Sequence, residues 1–129
     1  MNRTFISTSN EQSLFYRALR SEFQTAGIEL VDSPADATAI FAIEQDVTGQ
    51  RVLAVSARNV PREYEVNYIV RYSLADGQAI LMETREQIKT QAYTWDETKV
   101  LGKTQEEKVL RGELVNDLVR VVMIQLAAL

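Results

Sequence analysis

The chain has 129 residues, enough for one compact domain that buries about two-thirds of its unfolded surface without help from a disulfide or metal. It contains no Cys and no His, which excludes a Ser-His-Asp triad, a Cys-His pair, a zinc site of the usual ligands and a CxxC redox motif. A formal net charge of −4 has the wrong sign for general binding to a phosphate backbone, so no nucleic-acid partner is expected.

Five Gly and two Pro are too few for a collagen-like or linker-like chain. No repeat or low-complexity tract divides it, so residues 1–129 read as a single domain. No apolar run approaches the roughly 20 residues of a membrane span. The start, MNRTFIST, lacks the apolar centre of a signal peptide.

In chain order, Thr4-Phe5-Ile6-Ser7 is β-prone and leads into a helix. Ser9 with Gln12 fits a capping box, and Asn10 is a rival cap. Leu14, Phe15, Ala18, Leu19, Phe23 and Ala26 recur at helical spacing, and Gly27 follows where a left-handed residue ends a helix. Ile28 to Val31 reads as a short extension before the turn Asp32-Ser33-Pro34-Ala35-Asp36. Ala37 to Asp46 reads as a strand. Thr48-Gly49-Gln50 is hairpin chemistry, returning as Val52 to Ala57. Arg58 to Arg62 contains Pro61 and reads as a loop or bulge.

From Glu63 onward, Tyr64, Val66, Tyr68, Val70, Tyr72 and Leu74 share one face, with Ile69 the apolar exception on the other. Asp76-Gly77 turns the chain, and Ala79 to Gln91 runs back as a second long strand. Tyr93 to Gly102, with Trp95, Asp96 and Lys99, reads as an irregular connection. Thr104 and Glu107 fit a second capping box. Val109 or Leu110, Leu114, Leu118, Val121, Val122 and Leu126 then stripe a helix about 36 Å long. The order is β-α-β-β-β-β-α. A β-α-β crossover makes part of the sheet parallel and the hairpins make the rest antiparallel. The expected fold is α+β, a two-layer sandwich with two amphipathic helices on one face of the sheet and a polar face opposite.

Site chemistry is sparse. Glu44 with Asp46, and Glu63 with Glu65, share strand faces, and Glu83 lies near Arg85. Acid-base catalysis needs two carboxylates in a pocket that sets their pKa values apart, and these fit a solvated sheet surface better. Neither GxxxxGK[ST] nor GxGxxG occurs. Gly112 inside the last helix reads as a close approach to the sheet. A stripe of Tyr64, Tyr68 and Tyr72 offers a base-stacking platform, but its alternation with Val66, Val70 and Leu74 fits a core better. Arg58 and Arg62 flank one loop, and Lys99 and Lys103 another. If the two loops met, they would make a cationic patch suited to phosphate or sugar-acid groups.

The chain resembles the LptE family of Gram-negative lipopolysaccharide assembly, also called rare lipoprotein B. The matching residues are Gln12-Ser13-Leu14 through Arg20 and Ala26-Gly27-Ile28-Glu29-Leu30. Arg58-Asn59 leading to Glu63-Tyr64-Glu65-Val66 follows, then Leu101-Gly102-Lys103 through Glu107, Glu113-Leu114, Asp117 and Leu126. No single motif is specific, and their order and spacing carry the resemblance.

It implies two helices on a mixed, mostly four-stranded sheet, no catalytic activity, no cofactor and no metal. It further implies a plug inside the outer-membrane β-barrel LptD, help in assembling that barrel, and binding of lipopolysaccharide on its way to the cell surface. The implied location is the periplasm-facing side of the outer membrane, anchored by acyl chains on an N-terminal Cys. The family's basic lipopolysaccharide contacts fall on Arg58 and Lys103. This sequence is one residue short between Asn59 and Glu63. It also lacks the lipidated Cys, so Met1 reads as a start from which signal peptide and lipobox are gone, or as that of a soluble relative. A periplasmic adaptor that binds only protein is the rival reading, and an enzyme using Glu and Lys a weaker one.

Overall fold

The computed structural model describes residues 1–58, 61–94 and 102–129, without the side chains of residues 61, 62 and 102–104. Its elements are β1 (Arg3–Ser7), α1 (Leu14–Thr25), β2 (Glu29–Leu30), a 3-10 turn (Pro34–Asp36), β3 (Ala39–Val55), β4 (Pro61–Asp76), β5 (Ala79–Thr94) and α2 (Gly102–Ala127). The strands form one sheet in the order β2-β1-β3-β4-β5. β1 runs parallel to β2 and β3, while β3, β4 and β5 are antiparallel neighbours. The sheet is therefore mixed, and it has five strands because Ile28 to Val31 contributes the short edge strand β2.

Both helices lie on one face. Tyr68 and Tyr72 project from the same side of β4. The Tyr68 hydroxyl accepts from the Phe15 backbone N–H in α1, and the Tyr72 hydroxyl donates to Gln125 in α2. Between the layers, Phe41 is fully buried, edge-on to Phe23 at 5.6 Å and stacked on Tyr72 at 5.5 Å. The alternating residues Tyr64, Val66, Tyr68, Val70, Tyr72 and Leu74 are all buried. The tyrosines are core, as their alternation with aliphatic residues indicates.

Helix α1 starts later than Ser9 or Asn10. Ser13 caps it, its Oγ accepting from the Tyr16 N–H at 2.9 Å. Asn10 instead shapes the preceding turn, its Oδ1 accepting from the Gln12 N–H at 3.0 Å. At the other end Gly27 has φ +83°, and the Ile28 N–H reaches the Phe23 carbonyl at 3.0 Å, closing the helix as expected. α2 begins at Gly102, so Thr104 lies inside the helix and not at its cap. Glu107 turns to the sheet. Gly112 makes no close approach either, because a Cβ there would meet nothing within 4 Å.

Residues 39–55 make one continuous strand of 17 residues, with no hairpin at Thr48-Gly49-Gln50. β4 supplies a partner along its length, pairing Thr48 with Tyr68, Gly49 with Asn67 and Gln50 with Val66. The Thr48 hydroxyl also donates to the Asn67 carbonyl at 2.8 Å. A glycine that sequence alone reads as a turn is thus held extended by sixteen residues of neighbouring strand. β3 ends at Val55, and Pro61 and Arg62 already belong to β4. β5 likewise extends through Tyr93 and Thr94, which are not part of a loop.

A bulge between Ile43 and Gln45 breaks the parity of β3. Asp46 consequently sits opposite Val70 on the helix-covered face, while Glu44 accepts from the Thr84 hydroxyl at 2.8 Å. The two carboxylates do not share a face. Nor is the outer face uniformly polar. Val47, Ile69 and Ile88 lie opposite one another across three strands, with Val47 49% and Ile88 52% exposed.

Candidate functional site

The strand register decides which connections share an end of the sheet. Val55 pairs with Pro61 where β3 hands over to β4, and Glu63 pairs with Thr94 where β5 finishes. The last residues of β3 and β5 and the first of β4 therefore lie together. α2 is tied to the same end, because the Tyr93 hydroxyl donates to the Glu107 carboxylate. Arg58 lies in the turn after β3, exposed, with its backbone N–H donating to Ser56 Oγ at 3.3 Å. Among the described residues its guanidinium meets no carboxylate. Lys103 lies in the first turn of α2, four residues before Glu107, and its side chain is outside the described residues. Trp95, Asp96, Lys99 and the side chain of Arg62 are outside them as well, as is Asn59.

Beneath this end of the sheet is a buried aromatic pair. Tyr64 and Tyr93, opposite each other on β4 and β5, stack at 5.4 Å with planes 17° apart. Burial, then the hydrogen bond to Glu107, pushes the Tyr93 hydroxyl well above the usual tyrosine range. Arg111 Nη1 lies 3.9 Å from the second oxygen of Glu107. Each carboxylate oxygen thus faces a donor or a cation, which allows Glu107 to be only 9% exposed. Sequence reasoning missed this cluster because it assigned Tyr93 to a loop and Glu107 to a cap. The one available signal was a tyrosine in an otherwise polar strand tail.

The remaining carboxylates are spent individually. Asp46 accepts from Tyr68 at 2.6 Å, and Glu65 pairs with Arg51 at 3.1 Å. Glu44 and Glu83 line a depression of about 320 Å³ on the outer face, where both are exposed. An open groove of about 510 Å³ lies between the helices, lined by Ala18, Val119, Met123 and Ile124 with Glu22 and Arg120. No group of acidic side chains there or elsewhere among the described residues is arranged to hold a metal ion, and no described helix is long and apolar enough to cross a membrane.

These features define a two-layer α+β domain whose distinctive chemistry lies at one end of its sheet. The chain belongs to the LptE family of lipopolysaccharide-assembly proteins, whose pattern it matches over residues 1–126. That membership assigns it a role in lipopolysaccharide assembly. No curated protein matches it significantly in sequence.

Solved structures share the fold. Rare lipoprotein B from Shewanella oneidensis superposes with a TM-score of 0.82 at 20% identity, covering 98% of this chain and 95% of that one. A lipoprotein B from Nitrosomonas europaea gives 0.82 at 25% identity, covering 98% and 83%. A minor lipoprotein from Acinetobacter baumannii gives 0.78 at 17% identity, covering 98% and 91%.

Proposed function

We propose that this chain is a non-enzymatic, lipid-anchored component of the outer membrane that plugs and helps assemble the LptD β-barrel and binds lipopolysaccharide in transit. The family match over residues 1–126 carries the reading, and similarity to lipoproteins of known structure supports the anchor. A rigid two-layer domain fills a barrel lumen, presenting its solvated sheet face and loops to a polar inner wall. Arg58 and Lys103 then pair with lipid A or core phosphates. In doing so they compete with the divalent cations that bridge neighbouring lipopolysaccharide molecules. The register that brings the ends of β3 and β5 together, with α2 tied to that end through Glu107, supports a joint role for the two residues.

The test is titration of purified lipopolysaccharide into the parent chain and into the Arg58→Glu, Lys103→Glu double variant. Binding should weaken at least tenfold in the variant, and in the parent it should fall as salt rises, since screening weakens exposed charge pairs. Equal binding by both proteins would remove the charge-pairing step. Recovery of a large outer-membrane β-barrel with the tagged, lipidated protein tests the partner.

A second reading, a periplasmic adaptor that binds protein alone, draws on the outer-face apolar row Val47, Ile69 and Ile88, of which Val47 and Ile88 are exposed. Rows of this kind suit a protein partner better than a phosphorylated sugar. Barrel recovery without any lipopolysaccharide binding would favour it.

A further inference from the structure

We propose that Tyr93 and Glu107, with Tyr64 stacked on Tyr93, are positioning residues for the phosphate-binding end of the sheet; this rests on the reading of Arg58 and Lys103 given above. The inference comes from how α2 is held. The buried stripe of α2 lies in its C-terminal half, at Leu114, Val115, Leu118, Val119 and Val122. Toward the N-terminus, Gln105, Glu106, Lys108 and Val109 are exposed and only Glu107 is buried. Residues 105–109 therefore lie beyond the packed half of the helix. Among residues 105–109 the Glu107 side chain alone is sunk toward the sheet.

Its partner is a group with a fixed position. Tyr93 is 7% exposed and its ring is stacked on Tyr64, which is 5% exposed. Tyr64 begins the buried stripe of β4, six residues after Arg58, and Glu107 follows Lys103 by four. One buried cluster thus braces both segments that carry the basic positions. A hydrogen bond to a buried carboxylate fixes a direction as well as a distance, which an apolar contact at the same place would not. The Tyr93 bond and the nearby Arg111 also offset the Glu107 charge, while the neighbouring Glu106 stays exposed.

The experiment compares the parent with Tyr93→Phe, Glu107→Ala and Glu107→Gln in titrations with purified lipopolysaccharide. Amide hydrogen exchange is followed in the same proteins. Tyr93→Phe keeps the ring stack and deletes the donor, whereas Glu107→Gln keeps an acceptor oxygen and deletes the charge. Loss of the brace should lower the population of the ordered first turn and weaken binding about fivefold in Tyr93→Phe and Glu107→Ala. Amides at 107–110 should exchange faster while those at 118–122 stay protected. Glu107→Gln should bind like the parent, a rescue that loss of folding or of charge would not produce.

Should Tyr93→Phe fail to fold, the contrast between Glu107→Ala and Glu107→Gln decides alone. Binding within about twofold of the parent in both Glu107→Ala and Tyr93→Phe, while Arg58→Glu with Lys103→Glu still loses affinity, would overturn the positioning role and leave the proposed site standing. Glu107→Gln losing as much as Glu107→Ala would overturn it too. Undiminished binding by the charge-reversed protein would instead remove the site itself, and the positioning role with it.

Discussion

Tyr68 on β4 donates its hydroxyl proton to Asp46 Oδ1 on β3 at 2.6 Å, and the Tyr68 hydroxyl oxygen accepts from the Phe15 N–H of α1 at 3.3 Å. One side chain thus joins two strands and the first turn of a helix. The Ile43/Gln45 bulge is what turns Asp46 inward to meet it. The second carboxylate oxygen of Asp46 is buried without a hydrogen-bond partner, so the tyrosine is this carboxylate's one hydrogen-bond donor among the described residues.

Removing that donor should be costly. Tyr68→Phe leaves Asp46 and the Phe15 N–H unsatisfied, and the expected loss is about 2–3 kcal/mol of stability. Adding Asp46→Leu should recover much of it, because replacing both partners by apolar groups avoids the stranded carboxylate. Urea denaturation of the two single variants and the double variant measures the coupling. Additive losses would show that the pair is not coupled.

Alkaline titration should separate the tyrosines. Burial, followed by the bonds to Asp46 and Glu107 respectively, holds Tyr68 and Tyr93 well above the ordinary range, and burial raises Tyr72 as well. All three keep their protons in the folded state at pH values where the unfolded chain, titrating near about 10, has begun to lose them. The unfolded state then binds fewer protons than the native state, so stability must fall as pH rises through and beyond 10. Absorbance of phenolate should show fewer than the five tyrosines of the chain ionising near that value in native protein, and all of them in concentrated urea. Five ordinary titrations in native protein would contradict the buried arrangement.

Two glycines should respond oppositely to alanine. Gly27 has φ +83°, a conformation that a Cβ disfavours, and Gly27→Ala should cost about 1 kcal/mol. Gly112 is inside a helix with open space where its Cβ would stand. Gly112→Ala should therefore stabilise by about 1 kcal/mol, raising the thermal midpoint by roughly 3–5 °C. Calorimetry of the two variants checks both signs.

The contrast between these glycines and Gly49 shows where sequence reasoning succeeds and fails. Gly27 is legible because the helix stripe ends just before it, and stripe and cap are local. Gly49 stands in an equally turn-like triplet, yet it lies extended opposite Asn67. Only the pairing of β3 with a strand that begins twelve residues later decides that. The candidate site divides in the same way. Arg58 and Lys103 are candidates that the family resemblance picks out along the chain, whereas the cluster of Tyr64, Tyr93 and Glu107 joins three elements.

The sequence alone determines an α+β fold for these residues, with two striped helices, a long alternating strand and no thiol or imidazole chemistry. Those properties follow from periodicities of 3.6 and 2 residues and from composition, and they require no knowledge of neighbours. Tertiary structure decided the unbroken run of β3, the bulge that turns Asp46 into the core, the capping of α1 by Ser13 and the commitment of Glu107 to Tyr93. Each of these is a choice between local alternatives of similar energy, settled by a partner distant in sequence. A strand or a cap takes the alternative that leaves fewer buried polar groups unpaired, whereas the bulge holds Asp46 inward with one oxygen bonded to Tyr68 and the other without a partner.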